Sequence, residues 1–128
     1  MKHFAIIWLL IFGFVFSFSE NFKHPDCVRK NSWAVNMALG YMKNNRIITP
    51  QEINHEKTTI LRLSSEKKEN GIFRQVHYIV FTTKSDLIIK VITVNDASFE
   101  ECSMSDVAVF LIEKELDSNF MKQILSTK

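Results

Sequence analysis

The spacing of apolar residues changes twice along the chain, and each change predicts a different element. The chain opens with an unbroken apolar run from Phe4 to Phe16 that has no polar face. Further on, Ala34, Met37, Ala38, Tyr41 and Met42 recur at the spacing of one helical face. Asp26 and Asn31-Ser32 stand upstream as N-capping groups, so the pattern predicts one amphipathic helix from about Val28 to Asn45. Asn44-Asn45 ends it. Thr49-Pro50 prevents it from resuming, because proline lacks an amide hydrogen and restricts the residue before it. A loop over Gln51 to Glu56 follows.

From there the periodicity becomes alternating and β-branched residues dominate. Thr59, Leu61 and Leu63 are expected on one side of a first strand, with Arg62 and Ser64 on the other. Asn70-Gly71 sits between two extended segments and readily takes the positive φ angles of a tight hairpin. Phe73 to Thr83 reads as the second strand, Lys84-Ser85-Asp86 as a turn, and Leu87 to Val94 as the third strand. Asn95 to Asp106 reads as a polar connection carrying Cys102, and Val107 to Glu113 as the fourth strand. In the tail from about Asp117, Phe120, Met121, Ile124 and Leu125 fall in helical register, which suits a short docking helix or a frayed end.

No linker or repeat interrupts this order. The simplest assembly is an α+β fold with one N-terminal helix packed on a four-stranded antiparallel β-meander. The second and third strands are apolar on both faces, so one face meets the helix. The other is left for the tail, a second subunit or a partner protein.

The opening run changes the picture of the domain. Met1-Lys2-His3, the apolar stretch and Ser17-Phe18-Ser19 have the layout of a secretory signal cleaved after Ser19. A membrane anchor is the competing reading, but Phe4 to Phe18 is about five residues short of the roughly 20 needed to span a bilayer. Residues 1–19 are therefore expected to be a signal peptide and 20–128 a single domain, secreted and free of the membrane after cleavage. Removing the signal takes Lys2 from the 16 basic residues and none of the 14 acidic ones, so the remainder is almost neutral. That balance gives no electrostatic case for nucleic acid, and a partner has to be recognised by shape.

Cys27 and Cys102 both survive cleavage, and an oxidising route makes one bridge between them the expected state. Closing a loop of about 75 residues would contribute about 4 kcal/mol in the chain-entropy model. There is no Cys-x-x-Cys pair, Gly-rich phosphate loop, Gly-x-Ser-x-Gly elbow or His-Glu-x-x-His run. His24, His55 and His77 have no second ligand at zinc spacing on their own elements, and His55 reads as an exposed loop residue. The expectation is no catalytic residue, no metal and no cofactor. No Asn-x-Ser/Thr sequon is present, so N-glycosylation is not expected.

The order of signal, helix and four-stranded meander resembles the cystatin-like fold. The helix sequence Ala34-Val35-Asn36-Met37-Ala38-Leu39-Gly40-Tyr41-Met42-Lys43-Asn44 is similar to the cystatin helix, with an Ala-apolar-x-apolar-Ala core, an aromatic residue and a late Asn. Cys27 just upstream looks more like the fetuin-type cystatin domains. The resemblance covers roughly Val28 to Leu116. It implies an inhibitor that enters papain-like cysteine proteases with a Gln-Val-Val-Ala-Gly hairpin, a Pro-Trp hairpin and a Gly-containing N-terminal arm.

Each of those three parts differs here. The first hairpin aligns with Lys67-Lys68-Glu69-Asn70-Gly71 and keeps only the final Gly. Burying its three charges unpaired in a narrow cleft costs several kcal/mol. Between Val94 and Val107 there is neither Pro nor Trp, and Glu20 to Asp26 contains no Gly. The charged run Glu66-Lys67-Lys68-Glu69 reads as a solubilising turn or as a contact loop altered for another partner. The resulting expectation is a secreted protein-binding module with a diverged or lost inhibitory wedge, binding an extracellular protein with papain-like proteases as candidates. Two other classes stay open: an inhibitor acting through a non-standard surface, and a small carrier of an apolar ligand. The chain is expected to be a monomer or a dimer that exchanges its helix and first strand.

Overall fold

The computed structural model describes residues 23–126, so the signal expected over 1–19 lies outside the described residues. One helix, α1 (Trp33–Asn44), packs against a sheet of four strands: β1 (Thr59–Lys67), β2 (Phe73–Thr82), β3 (Ile88–Ala97) and β4 (Ala108–Lys114). All neighbours are antiparallel and the strand order is β1-β2-β3-β4, an α+β meander. A second helix, α2 (Ser118–Ser126), follows β4 at the place the tail pattern indicated. Among the described residues, no helix is long and apolar enough to cross a membrane.

The helix starts five residues later than the sequence suggests. Ser32 is its N-cap, with the hydroxyl accepting from Val35 N, while Ser32 N donates to Arg29 O and closes a turn before it. Residues 28–32 are held as that turn because Cys27 is already tied to a distant loop. The buried face is also rotated from the expected one. Ala34, Val35, Ala38, Leu39 and Met42 face the sheet, and Tyr41 is exposed. Aliphatic side chains without a polar end take the dry face, and the tyrosine hydroxyl stays in water. Arg46, at φ 56°, reverses the chain after the C-cap residue Asn45.

The loop before β1 contains two single turns of 3-10 helix, Pro50–Glu52 and His55–Lys57. Glu52 accepts from the Thr49 amide and hydroxyl, which holds its carboxyl below the usual range. Asn70 and Gly71 both have positive φ, 59° and 72°, as the hairpin requires. The β1–β2 ladder is irregular between Arg62 and Ser64, so Leu63 bulges. Ser64 consequently stands opposite Val76 on the same face as Leu61, not with Arg62 as strict alternation would have it. The third strand also runs further than expected, to Ala97, because Asn95, Asp96 and Ala97 pair with Gln75, Arg74 and Phe73. The β3–β4 connection is therefore residues 98–107.

The two faces of the sheet differ. The inner face contributes Ile79, Phe81, Ile89 and Val91 to a core with Val35, Ala38, Met42 and Ile53, all at most 1% exposed. Burial of this set supplies the main stabilisation, about 25 cal/mol for each Å² of apolar surface removed from water. That core lies between the helix and the sheet. The outer face has apolar residues too, but its edge strands leave Leu61 and Phe110 more than half exposed.

Candidate functional site

Three separate segments meet at one end of the sheet: the arm at residues 23–28, the β1–β2 hairpin tip and the β3–β4 loop. Arg62 and the buried Gln75 both donate to Pro25 O, and His24 Nδ1 lies 2.9 Å from Ser65 Oγ. Going toward its N-terminal end, the arm therefore follows β1 in the direction of the hairpin tip. Cys27 and Cys102 are bonded, with Cα atoms 5.8 Å apart, which staples the arm to the β3–β4 loop across 75 residues of sequence. This is the expected bridge.

The hairpin closes through Lys68 N donating to Ile72 O and Ile72 N donating to Glu69 O. The tip residues Lys67, Lys68, Glu69, Asn70 and Gly71 are all exposed. Lys68 Nζ reaches Asp96 on β3 at 3.1 Å, and Arg74 Nε reaches the same carboxylate at 3.0 Å. The Arg74 hydrogen bond, then Lys68, holds the Asp96 carboxyl below its ordinary range against the opposing effect of partial burial. One of the tip's three charges is thus folded back on β3. Lys67 and Glu69 form no ion pair among the described residues.

The sequence reasoning missed the third segment's chemistry. Phe99, 58% exposed, stacks edge-on to the buried Phe73 at 5.3 Å between ring centroids, and Phe73 meets His24 at 5.6 Å. Met104 is also exposed on this loop. These are the two large apolar side chains in the stretch from Asn95 to Asp106, and that contrast was the available signal. The loop's backbone is braced by Ser98 N donating to Glu101 O, Met104 N donating to Asp96 O and Asn95 Nδ2 donating to Cys102 O. Trp33 Nε1 donates to Ser105 O from the start of α1. A groove of about 400 Å³ runs between arm and loop, lined by Asp26, Cys27, Arg29, Phe99, Glu101 and Cys102.

A larger open groove of about 720 Å³ lies at the opposite end of the sheet, among Ile47, Ile48, Leu87, Lys114 and Leu116. Its charged rim carries both signs, Lys84 and Lys114 against Glu52, Glu115 and Asp117. His55 is exposed, as expected. His77 is not: it lies on the inner face of β2 with neither ring nitrogen partnered among the described residues, and burial first, then Arg62, pushes its pKa down to about 4.

The arm, tip and loop together form a ridge braced by one disulfide, one ion cluster and a three-ring stack. Such a ridge can present side chains to a protein surface with little ordering cost. Compared with known proteins, the chain matches no family model, no curated protein and no solved structure.

Proposed function

We propose that the chain is a secreted, cystatin-like protein-binding module that meets an extracellular protein partner with the arm–hairpin–loop ridge and has a diverged protease-inhibitory wedge. The observation that carries this reading is the convergence of three sequence-distant segments at one end of the sheet, stapled by Cys27–Cys102. The element order and the antiparallel meander support the cystatin-like part, and the disulfide is compatible with an oxidising secretory route.

The divergence lies in the side chains. Lys67 and Glu69 are exposed charges without ion partners among the described residues; Lys67 stands where the family hairpin carries a neutral Gln, and Lys68 and Glu69 where it carries two Val. Papain-like proteases remain the candidate partner class, and Phe99 and Met104 are the apolar contacts on offer.

Inhibition assays with a panel of papain-like proteases test this reading. The disulfide-bonded chain is compared with a variant carrying Lys67→Gln, Lys68→Val and Glu69→Val. Asn70 and Gly71 are kept because their positive φ angles make the turn. The expected result is no tight inhibition by the natural chain and a gain of inhibition by the variant, as the ridge then presents apolar residues in a wedge-shaped setting. Tight inhibition by the natural chain overturns the diverged wedge. Inhibition by neither overturns the wedge geometry and leaves a ridge for another class of protein.

A further inference from the structure

The outer face of the sheet is built as a self-complementary surface. Its register arranges side chains in rows that cross the strands. One row is bulky: Leu61 stands opposite Tyr78, Tyr78 opposite Ile92, and Ile92 opposite Phe110. The next row is small: Ser64 opposite Val76, Val76 opposite Val94, and Val94 opposite Ala108. Outside the small row lies the pairing of Glu66, Arg74 and Asp96, and beyond the bulky row Lys90 pairs with Glu113 at 2.8 Å. The face is thus apolar in the middle and ionic at both ends, and α1 covers only the opposite side.

We infer that this outer face is the interface of a two-fold dimer, with a second copy of the chain as its occupant. A two-fold axis lying in the interface plane, across the strands and between the bulky and small rows, turns each row onto the other. The bulky row of one copy then seats on the small row of its mate, which is how two apolar sheets interdigitate. The same operation lays each strand over its own counterpart with direction reversed, so the Lys90–Glu113 pair comes over the Asp96 cluster of the second copy and ionic ends meet ionic ends.

Two further observations select a second copy over another protein. The ions at the ends of the face carry both signs and pair within the chain, Lys90 with Glu113 and Arg74 with Asp96, so they attract no partner of one charge. The area is also sufficient. Leu61, Phe110 and the bulge residue Leu63 are 59%, 54% and 53% exposed, and Tyr78, Ile92, Val76 and Val94 are half-buried. At about 200 Å² for a fully exposed large side chain, the patch presents roughly 500 Å², so two copies bury about 1,000 Å² before the rim is counted. A patch of this size is at the upper end for a monomer. The interface borders the ridge at the Arg74–Asp96 ion pair and where Leu61 lies beside the arm, and leaves the hairpin tip and the β3–β4 loop free; the reversed strand directions send the two ridges to opposite ends, giving a bivalent particle. Leu61 and Phe110, substituted to test this interface, are not the residues changed in the inhibition test, and sedimentation is read without a protease, so the two tests stand apart.

Sedimentation velocity on the disulfide-bonded chain from a secretory expression host, over roughly 1 to 200 μM, tests the inference. The expected result is a rapid, reversible monomer–dimer equilibrium in the micromolar range. Phe110→Lys and, separately, Leu61→Lys should each weaken it by about 30-fold while keeping the native circular dichroism spectrum. Phe110→Ser provides a milder version if a lysine disturbs β4. Asn36→Lys, on the exposed side of α1, should leave it unchanged. A monomer throughout the range overturns the inference. So does a dimer indifferent to Phe110→Lys and Leu61→Lys, which is the behaviour of exchanged helices and strands.

Discussion

Acidification from about pH 7.5 to about pH 4.5 is expected to destabilise the protein through one side chain, His77. Its ring lies on the inner face of β2, between Arg62 of β1 and Thr93 of β3, and is 0% exposed. Neither ring nitrogen has a hydrogen-bond partner among the described residues, and the Arg62 guanidinium, which donates to Pro25 O, adds a like charge to any imidazolium. Burial and Arg62 together lower the folded-state pKa from 6.5 to about 4. Above pH 6.5 the histidine is neutral in both states and contributes no slope. Between 6.5 and 4 the unfolded chain binds a proton that the folded chain refuses, so stability is lost as pH falls. At 1.36 kcal/mol for each unit, the ceiling of that loss is about 3 kcal/mol, of which about 2.5 is spent by pH 4.5. With a urea slope of roughly 1.5 kcal/mol/M, the unfolding midpoint should drop by roughly 1.7 M. Asp96 and Glu52, whose carboxyls are held low, lose their own contributions further into acid, so the difference between natural chain and His77→Leu isolates the imidazole. The variant removes the titrating group and two unpartnered nitrogens at similar volume. Its urea midpoint should be at least equal at pH 7.5 and should lack most of the acid drop. An equal acid drop in both proteins refutes the assignment to His77.

Replacing Cys27 and Cys102 together by serine should lower stability by about 4 kcal/mol, read by urea unfolding, and should also speed hydrogen exchange in the arm and the β3–β4 loop that the bridge holds together. Gly71→Ala should cost about 1 kcal/mol in the same assay. A methyl group there meets nothing within 4 Å, so the whole cost comes from the φ of 72°; a neutral substitution would mean the turn relaxes to another type. Met42→Ala removes a fully buried side chain from the α1–sheet core and should lower stability by about 2 to 5 kcal/mol, visible as a lower thermal midpoint.

The hairpin at Asn70-Gly71 and the antiparallel order of the strands were legible in the sequence, because turn chemistry and a two-residue period are local properties. The bridge was legible as well, since two cysteines leave one pairing. The five residues before Trp33 were read as helix because their composition permits it. The turn at Arg29–Ser32 and the bond at Cys27 override that permission, and both depend on where Cys102 lies in space. Lys67 to Gly71 was legible as a charged tip, but not the return of Lys68 to Asp96, which needs β3 extended to Ala97. Phe99 acquires meaning only when its ring meets Phe73 and His24, residues of another strand and of the arm.

Alternation along a strand identifies two faces without saying which is covered. The bulge at Leu63 moves Ser64 to the outer face, and the cross-strand register aligns Leu61, Tyr78, Ile92 and Phe110 into one row. By itself, then, the sequence determined the kinds of element, their order and the single covalent bridge, because each follows from short-range stereochemistry and a residue count. Only the tertiary structure decided that His77 is closed to water, that three distant segments form one ridge and that the exposed sheet face is apolar across four strands. Those properties arise from register and packing between residues far apart in the chain, which no local pattern encodes.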